Sequence, residues 1–218
     1  SDNFVLKNIF QNNNKIVFKK DKSYQGQEIF FFKKTNFNLK KIKLLGNGVI
    51  KNYIIQHPFF NQFASNSVAT IRITTVIDNN GYISARSSYL RVGNLSDTHI
   101  KSENHIRIPI NLSSGLLDKI GYLHDWSQIN KHLETGFVFN KEKIPNFKEC
   151  LNVTLESHKN LPFVRTIGWD LAIDEKNNVK IIEWNGSHND IKFSEATQGP
   201  CFSDLGWEKL SLNNIYDI

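Results

Sequence analysis

Between Val164 and Asp190 the chain reads VRTIGWDLAIDEKNNVKIIEWNGSHND, and this stretch restricts the possible folds more than any other. Two runs rich in Val, Ile and Trp, 164–174 and 179–185, flank the polar turn-formers Glu175-Lys176-Asn177-Asn178. The pattern predicts a hairpin. With those four residues as the loop, Ile173 pairs with Lys180, Asp170 falls across from Glu183, and Asn185 follows on the same face. Side chains alternate along a strand, so any loop of even length keeps these three together and a loop of odd length separates them.

Two carboxylates facing each other across a ladder repel and destabilise the pair unless a cation lies between them. Gly168 and Ala172, which flank the pair on that face, are small enough to leave room. A hard dication meets the need, because two carboxylates and an amide oxygen are Mg2+ ligands, commonly shared with substrate phosphates. Asp170, Glu183 and Asn185 are therefore candidate metal ligands. The same spacing also suits a hairpin with one face in water, since exposed acids are common.

What such a site would hold is limited by charge. Lysine and arginine number 27 against 21 acids, a net charge of +6, which suits an anionic ligand such as a nucleotide or sugar nucleotide. The lysines are scattered through strands and turns, and there is no zinc finger, RNA-binding signature or basic helix, so no nucleic-acid partner is expected. No apolar run approaches the roughly 18 residues of a membrane span, and no signal peptide is visible. Cys150 and Cys201 are too few for a disulfide framework and lack metal-ligand spacing, which predicts a reducing, cytoplasmic setting. The chain begins at Ser1 and contains no methionine, so it is expected to be part of a longer product. Its 218 residues suffice for one large domain or two small ones.

Upstream of the hairpin, three strands are predicted at Phe4–Phe10, Lys15–Lys20 and Glu28–Phe32, with a polar, glycine-bearing connection at 21–27 and Lys19 leading into it. LKKIKLL (39–45) and GVIKNYIIQH (48–57) read as a further strand pair joined at Gly46-Asn47-Gly48. His57-Pro58 starts a short helix, and a boundary between a small lobe, 1–56, and a large one, 57–218, is expected there. Residues 68–92 form a second long hairpin about the turn 78–81, placing Arg72 on a polar face with Thr70 and Thr74, and Arg91 at a strand end. An arginine at position 72 can present its planar fork to phosphate. HIRIPI is a strand, and 112–144 an irregular connection. His99, His105, His124 and His132 lack metal-ligand spacing and are assigned structural or surface roles. Asn146 and Glu149 suggest a capping box on a helix whose Phe147, Cys150, Leu151, Thr154, Leu155 and His158 recur at helical spacing. After Asp190 the chain is expected to be irregular, with a short helix at Leu205–Leu210 anchored by Trp207.

Taken together, the residues resemble the ATP-grasp superfamily, in particular its sugar-transfer associated branch, found with genes for cell-surface polysaccharides. IGWDLAID...VKIIEWNGS is similar to that branch's GWDIA...EGNGS pattern, and YIIQHPFF, SVATIRITTV, SSYLRVG, HLETG and IPNFKECLN follow in family order. The resemblance implies an α+β fold, a small lid lobe plus a larger lobe with an antiparallel sheet backed by helices, with ATP between them. It implies that Lys19 contacts the phosphates, that Gly26 lies in a flexible loop covering them, and that Asn52, Tyr53 and Ile54 contact adenine. Arg72 is implied to hold the transferred phosphate, Arg91 is placed with the nucleotide-binding residues, and Asp170, Glu183 and Asn185 are implied to hold Mg2+.

The implied reaction is activation of a carboxylate by ATP to an acylphosphate, then attack by an amine, in cell-surface polysaccharide modification. The substrates would be a small carboxylate and an amine, such as a sugar acid and an amino acid, and a further domain is implied ahead of the small lobe. Such chemistry needs cations and positioning rather than a protein nucleophile, and no nucleophile triad or Walker A sequence competes. The sequence departs from the family pattern at Lys51, Ala69 and Glu103-Asn104, so a second expectation is a catalytically degenerate relative serving as a nucleotide-binding or assembly module.

Overall fold

The computed structural model describes residues 9–10, 14–21, 28–95, 105–187 and 189–209. The chain builds two antiparallel sheets. The first has three strands in the order β2-β1-β3, with β1 at Lys15–Lys20, β2 at Ile29–Lys33 and β3 at Gly48–Asn52. On β1, Ile16 and Phe18 are buried and Lys15, Val17 and Lys19 alternate with them. The buried side is aromatic: Phe18 meets Phe30, and Phe37 makes edge contacts with Phe10 and Phe32.

LKKIKLL is not the partner of β3 but helix α1, Leu39–Leu45. The Asn38 side chain accepts from the amides of Lys40, at 2.9 Å, and Lys41, at 3.4 Å, capping the helix start, and Gly46 ends it at φ 89°. β3 pairs with β1 instead. Of the expected strand Phe4–Phe10, only 9 and 10 are described, and neither is in a strand.

The chain crosses to the second sheet by a short backbone staple, Glu175 N–H to Ile55 O at 2.8 Å and His57 N–H to Ile173 O at 2.9 Å. A 3-10 turn at Pro58–Gln62 follows where the helix start was expected; His57 caps it through Nδ1, and Phe60 and Phe63 enter the core.

The second sheet has seven strands in the order β10-β9-β4-β5-β6-β7-β8. These are β4 Thr70–Ile77, β5 Ile83–Val92, β6 Ile106–Pro109, β7 Gly121–Tyr122, β8 Gln128–Ile129, β9 Thr166–Ile173 and β10 Val179–Asn185. One face carries Ile71, Ile73, Leu90, Ile106, Ile108, Trp169 and Leu171, all buried with Phe139, Phe147 and Cys150 in a single core. Helix α2, Phe147–Lys159, backs that face as expected. Its cap differs: Asn146 sits at φ 48° with no side-chain cap, and its Nδ2 donates to Asn177 O at 2.8 Å, tying the helix start to the β9–β10 turn. The stretch 112–144 contains the short β7–β8 hairpin. After Asp190 the chain forms helix α3, Ile191–Gln198, which sequence reading placed in an irregular segment, and then 3-10 turns at Ser203–Leu205 and Trp207–Lys209.

The β9–β10 hairpin reaches the expected facing by another route. Its turn has five residues, 174–178, so Ile173 pairs with Val179 rather than Lys180. The Asp174 carboxylate accepts from the amides of Lys176 and Asn178, and Asn177 takes φ 65°, which makes the odd turn the stable one. An odd turn alone would put Asp170 and Glu183 on opposite faces. A β-bulge at Ile182 shifts the register once more, and Glu183 pairs with Asp170 and Asn185 with Gly168.

Candidate active site

The open face of the small sheet is cationic. Lys15 pairs with Lys33, Val17 with Phe31 and Lys51, and Lys19 with Ile29 and Val49, so these side chains share one face. Two of its lysines reach β10: Lys19 Nζ donates to Glu183 Oε2 at 2.6 Å, and Lys51 Nζ to Ile182 O at 3.0 Å. The two sheets therefore meet at the β10 edge. Lys15 Nζ lies 3.8 Å from the Tyr53 ring centroid and 5.0 Å from that of Phe31. Burial, with Lys33 nearby, lowers the Lys15 pKa, and burial raises that of the Tyr53 phenol. The Tyr53 amide is engaged by Lys15 O at 3.2 Å, while Asn52 and Ile54 flank it at the end of β3. Gly26 and Glu103-Asn104 lie outside the described residues.

The polar face of the large sheet is built around Asp170, whose side chain is 2% exposed. Arg72, its neighbour on β4, grips it side-on, Nε to Oδ1 at 2.6 Å and Nη2 to Oδ2 at 2.9 Å. Arg91 adds Nη2 to Oδ1 at 2.5 Å while its Nε donates to Thr70. Burial would raise the Asp170 pKa, but Arg91 and Arg72 together hold it below the ordinary carboxylate value. Arg72 can lie there only because residue 168 is glycine: a Cβ at Gly168 would stand 2.9 Å from Arg72 Nη1 and 3.2 Å from Asn189 Oδ1. The space left by Gly168 holds a guanidinium.

Glu183 and Asn185 are differently placed. Glu183 is 40% exposed at its side chain and faces Lys19; Asn185 Nδ2 is buried without a hydrogen-bond partner among the described residues. A buried amide N–H without a partner, beside a carboxylate, suits a bound oxygen-rich ligand, and the amide oxygen is a group of the kind that a hard cation takes. Glu183 and Asn185 thus fit a hard dication. Asp170 is already neutralised by two guanidiniums, and a metal would have to displace one of them. Among the described residues no group of three or more His, Cys, Asp or Glu forms a metal cluster.

Sequence reasoning missed the far end of this face. On β5 and β6, Tyr89 OH donates to Asp190 Oδ2 at 2.8 Å, and Arg107 Nη1 approaches the same oxygen at 3.4 Å. Burial raises the Tyr89 pKa against the pull of Arg72 and Arg91. Arg107 pairs directly with Arg91, and its alternation with Ile106 and Ile108 in HIRIPI was the available signal. Asn189 Oδ1 accepts from Gly168 N–H at 2.9 Å, holding the 186–190 turn over the face. The described histidines with buried rings are structural: His132 lies 3.1 Å from Gly93 O, and His158 bridges Thr75 and Val164.

The fold has counterparts among solved structures. An N5-carboxyaminoimidazole ribonucleotide synthetase, solved as an ADP complex, matches with a TM-score of 0.55 at 8% identity, covering 89% of this chain and 41% of that one. An N5-carboxyaminoimidazole synthetase from Staphylococcus aureus matches with a TM-score of 0.51 at 12% identity, covering 89% and 40%. At such identities the likeness is one of fold. The chain spans 37% to 41% of the length of three such synthetases it matches. Among curated proteins none matches the sequence. The family model for sugar-transfer associated ATP-grasp proteins matches residues 9–204, which takes in both sheets and every described candidate residue. The chain belongs to the sugar-transfer associated ATP-grasp family, and its fold is the α+β ATP-grasp fold.

Proposed function

We propose that the chain is the catalytic part of an ATP- and Mg2+-dependent carboxylate–amine ligase acting in cell-surface polysaccharide modification. One observation carries the reading: across the gap between the sheets, Lys19 of the first meets Glu183 of the second, beside Asn185, whose Nδ2 has no hydrogen-bond partner among the described residues. Two lobes, 1–56 and 57–218, would close on the nucleotide there. Lys19 leaves Glu183 for the β- and γ-phosphates, to which the family resemblance also assigns Gly26, outside the described residues. Asn52, Tyr53 and Ile54 line the base, with the Lys15-backed Tyr53 ring as its platform. Glu183 and Asn185 would hold Mg2+ with Asp170, which exchanges Arg91, the more exposed of its two arginines, for the dication. Bound there, Mg2+ neutralises charge on the phosphates.

A substrate carboxylate oxygen attacks the γ-phosphorus and the bond to the β–γ bridging oxygen breaks, giving ADP and an acylphosphate. Arg72 and Arg91 hold the negative charge of that group in a dry site, where charge-assisted hydrogen bonds are strongest. An amine then attacks the acyl carbon, phosphate leaves with the acyl C–O bond, and the amine loses its proton to solvent.

The test is twofold. Mg-ATP at a hundredfold excess over its Kd should raise Tm by about 5 °C or more. Phosphate release with a panel of uronic acids and amino acids should fall at least about a hundredfold in Glu183→Gln, as for loss of a main electrostatic contributor. No Tm shift with any nucleoside triphosphate would sink the reading. A second reading, a nucleotide-binding module without catalysis, is favoured by Lys51, whose ammonium is engaged by Ile182 O. It predicts the Tm shift but equal phosphate release in wild type and Glu183→Gln.

A further inference from the structure

The polar face does not end at the phosphate-facing residues. Three arginines, Arg72, Arg91 and Arg107, stand on adjacent strands β4, β5 and β6, and Arg91 and Arg107 are directly paired. Like charges placed opposite each other in a ladder destabilise it unless anions intervene. Asp170 pairs with Arg72 and Arg91. For Arg107 the structure supplies Asp190 at 3.4 Å, beyond good hydrogen-bond length, on an oxygen already bonded by Tyr89 at 2.8 Å. Arg107 Nε is buried and has no hydrogen-bond partner among the described residues. A guanidinium only 10% exposed, with its fork so poorly filled, is costly to keep.

The surroundings orient that guanidinium. Its Cζ lies 4.2 Å from the Phe193 ring centroid and 5.1 Å from that of Trp126, with Tyr122 at the paired position on β7. Stacking of this kind fixes the plane of the fork. One of these contacts is made by a residue in strained backbone: Trp126 has φ 70°, a left-handed value that a bulky side chain rarely accepts. Strain of that sort persists where the surroundings enforce it, as they do at binding sites. Lys192 Nζ, 5.9 Å from the Trp126 centroid, adds positive charge to the rim.

We propose that Arg107, walled by Trp126 and Phe193, is a binding subsite for the carboxylate of a co-substrate whose apolar or ring portion lies against the aromatic walls. From β6 to β10 is four strand steps, about 19 Å at the usual spacing. Arg107 is instead the direct partner of Arg91, so a carboxylate it holds lies one strand step from the phosphate-facing arginines and far from Glu183. The description of the ligand as a co-substrate rests on the ligase reading; its chemistry rests on Arg107.

Calorimetric titration tests this with sodium glucuronate and L-alanine, each beside the amide that lacks its carboxylate charge, on wild type, Arg107→Gln, Arg107→Lys and Trp126→Leu. At least one of the two acids should bind and its amide should not. Arg107→Gln should weaken acid binding about tenfold to a hundredfold, as for loss of a charged hydrogen-bond partner, with Arg107→Lys between. Which acid binds separates a sugar acid from an amino acid. If Arg107→Gln is unstable, Trp126→Leu, at a residue 37% exposed, should still weaken acid binding several-fold. Equal acid affinity in the substituted and wild-type proteins, equal affinity for acid and amide, or no binding of either acid would overturn the subsite. The Mg-ATP shift in Tm, measured on the same proteins, reports separately on the ligase reading: its absence from wild type, with Arg107-dependent acid binding intact, removes the ligase and leaves the subsite.

Discussion

At the scale of single residues, the acids of the site divide by burial. Asp170 is sealed between two guanidiniums, whereas Glu183 and Lys19 form an ion pair about two-fifths exposed at each side chain (40% and 41%). Removing one partner from a buried pair leaves uncompensated charge, so Asp170→Asn should lower stability by about 3–5 kcal/mol in urea titrations without any ligand. An exposed pair contributes about 0–1 kcal/mol, so Glu183→Gln should unfold almost as wild type while losing its response to Mg-ATP. Had Asp170 served only as a metal ligand, its substitution in the unliganded protein would cost little. Gly168→Val belongs with Asp170→Asn: it evicts Arg72, and circular dichroism melts should register both.

At the scale of elements, the hairpin shows how far the sequence could be read. The facing of Asp170 and Glu183 was legible because both strands carry strong β residues and the acids are few. The route was not, because the odd turn depends on Asp174 bonding its own loop, and the compensating bulge at Ile182 follows from register rather than composition. α1 was read as a strand although Asn38 and Gly46, its true punctuation, were visible. α3 escaped notice because only Phe193 and Ser194 on it are buried, too few for a periodic signal. Arg107 was overlooked for a related reason: an arginine within a strand is solvated by default, and only the position of α3 shows that this one is stacked. α2 offers an element-scale test. His158 is buried, with Nε2 donating to Val164 O at 2.8 Å and Nδ1 accepting from Thr75, which in turn accepts from Trp169 Nε1 at 2.7 Å. Burial lowers the pKa of His158, so the unfolded chain binds the proton first and stability is lost as pH falls below the unfolded value of about 6.5. Tm should drop between pH 7.5 and 5, and His158→Gln should flatten that slope. The Cys150 thiol, pushed up to about 12 by burial, takes no part over that range.

At the scale of the whole molecule, the side-chain contacts that join the sheets at the β10 edge are light among the described residues. Lys19 to Glu183 and Lys51 to Ile182 O are partly exposed contacts that a nucleotide phosphate could outbid. Amide exchange of 15–20 and 181–185 should therefore slow on adding Mg-ATP, and Lys19→Ala should abolish the protection without unfolding either sheet. β10 is also the outermost strand of the seven-stranded sheet, the position most prone to recruiting strands from other molecules. Its bulge interrupts the row of edge amides and carbonyls, Lys51 occupies Ile182 O, and Lys180 and Glu183 place charge along it. The irregularity that assembles the acid pair thus also guards the protein against edge-to-edge aggregation.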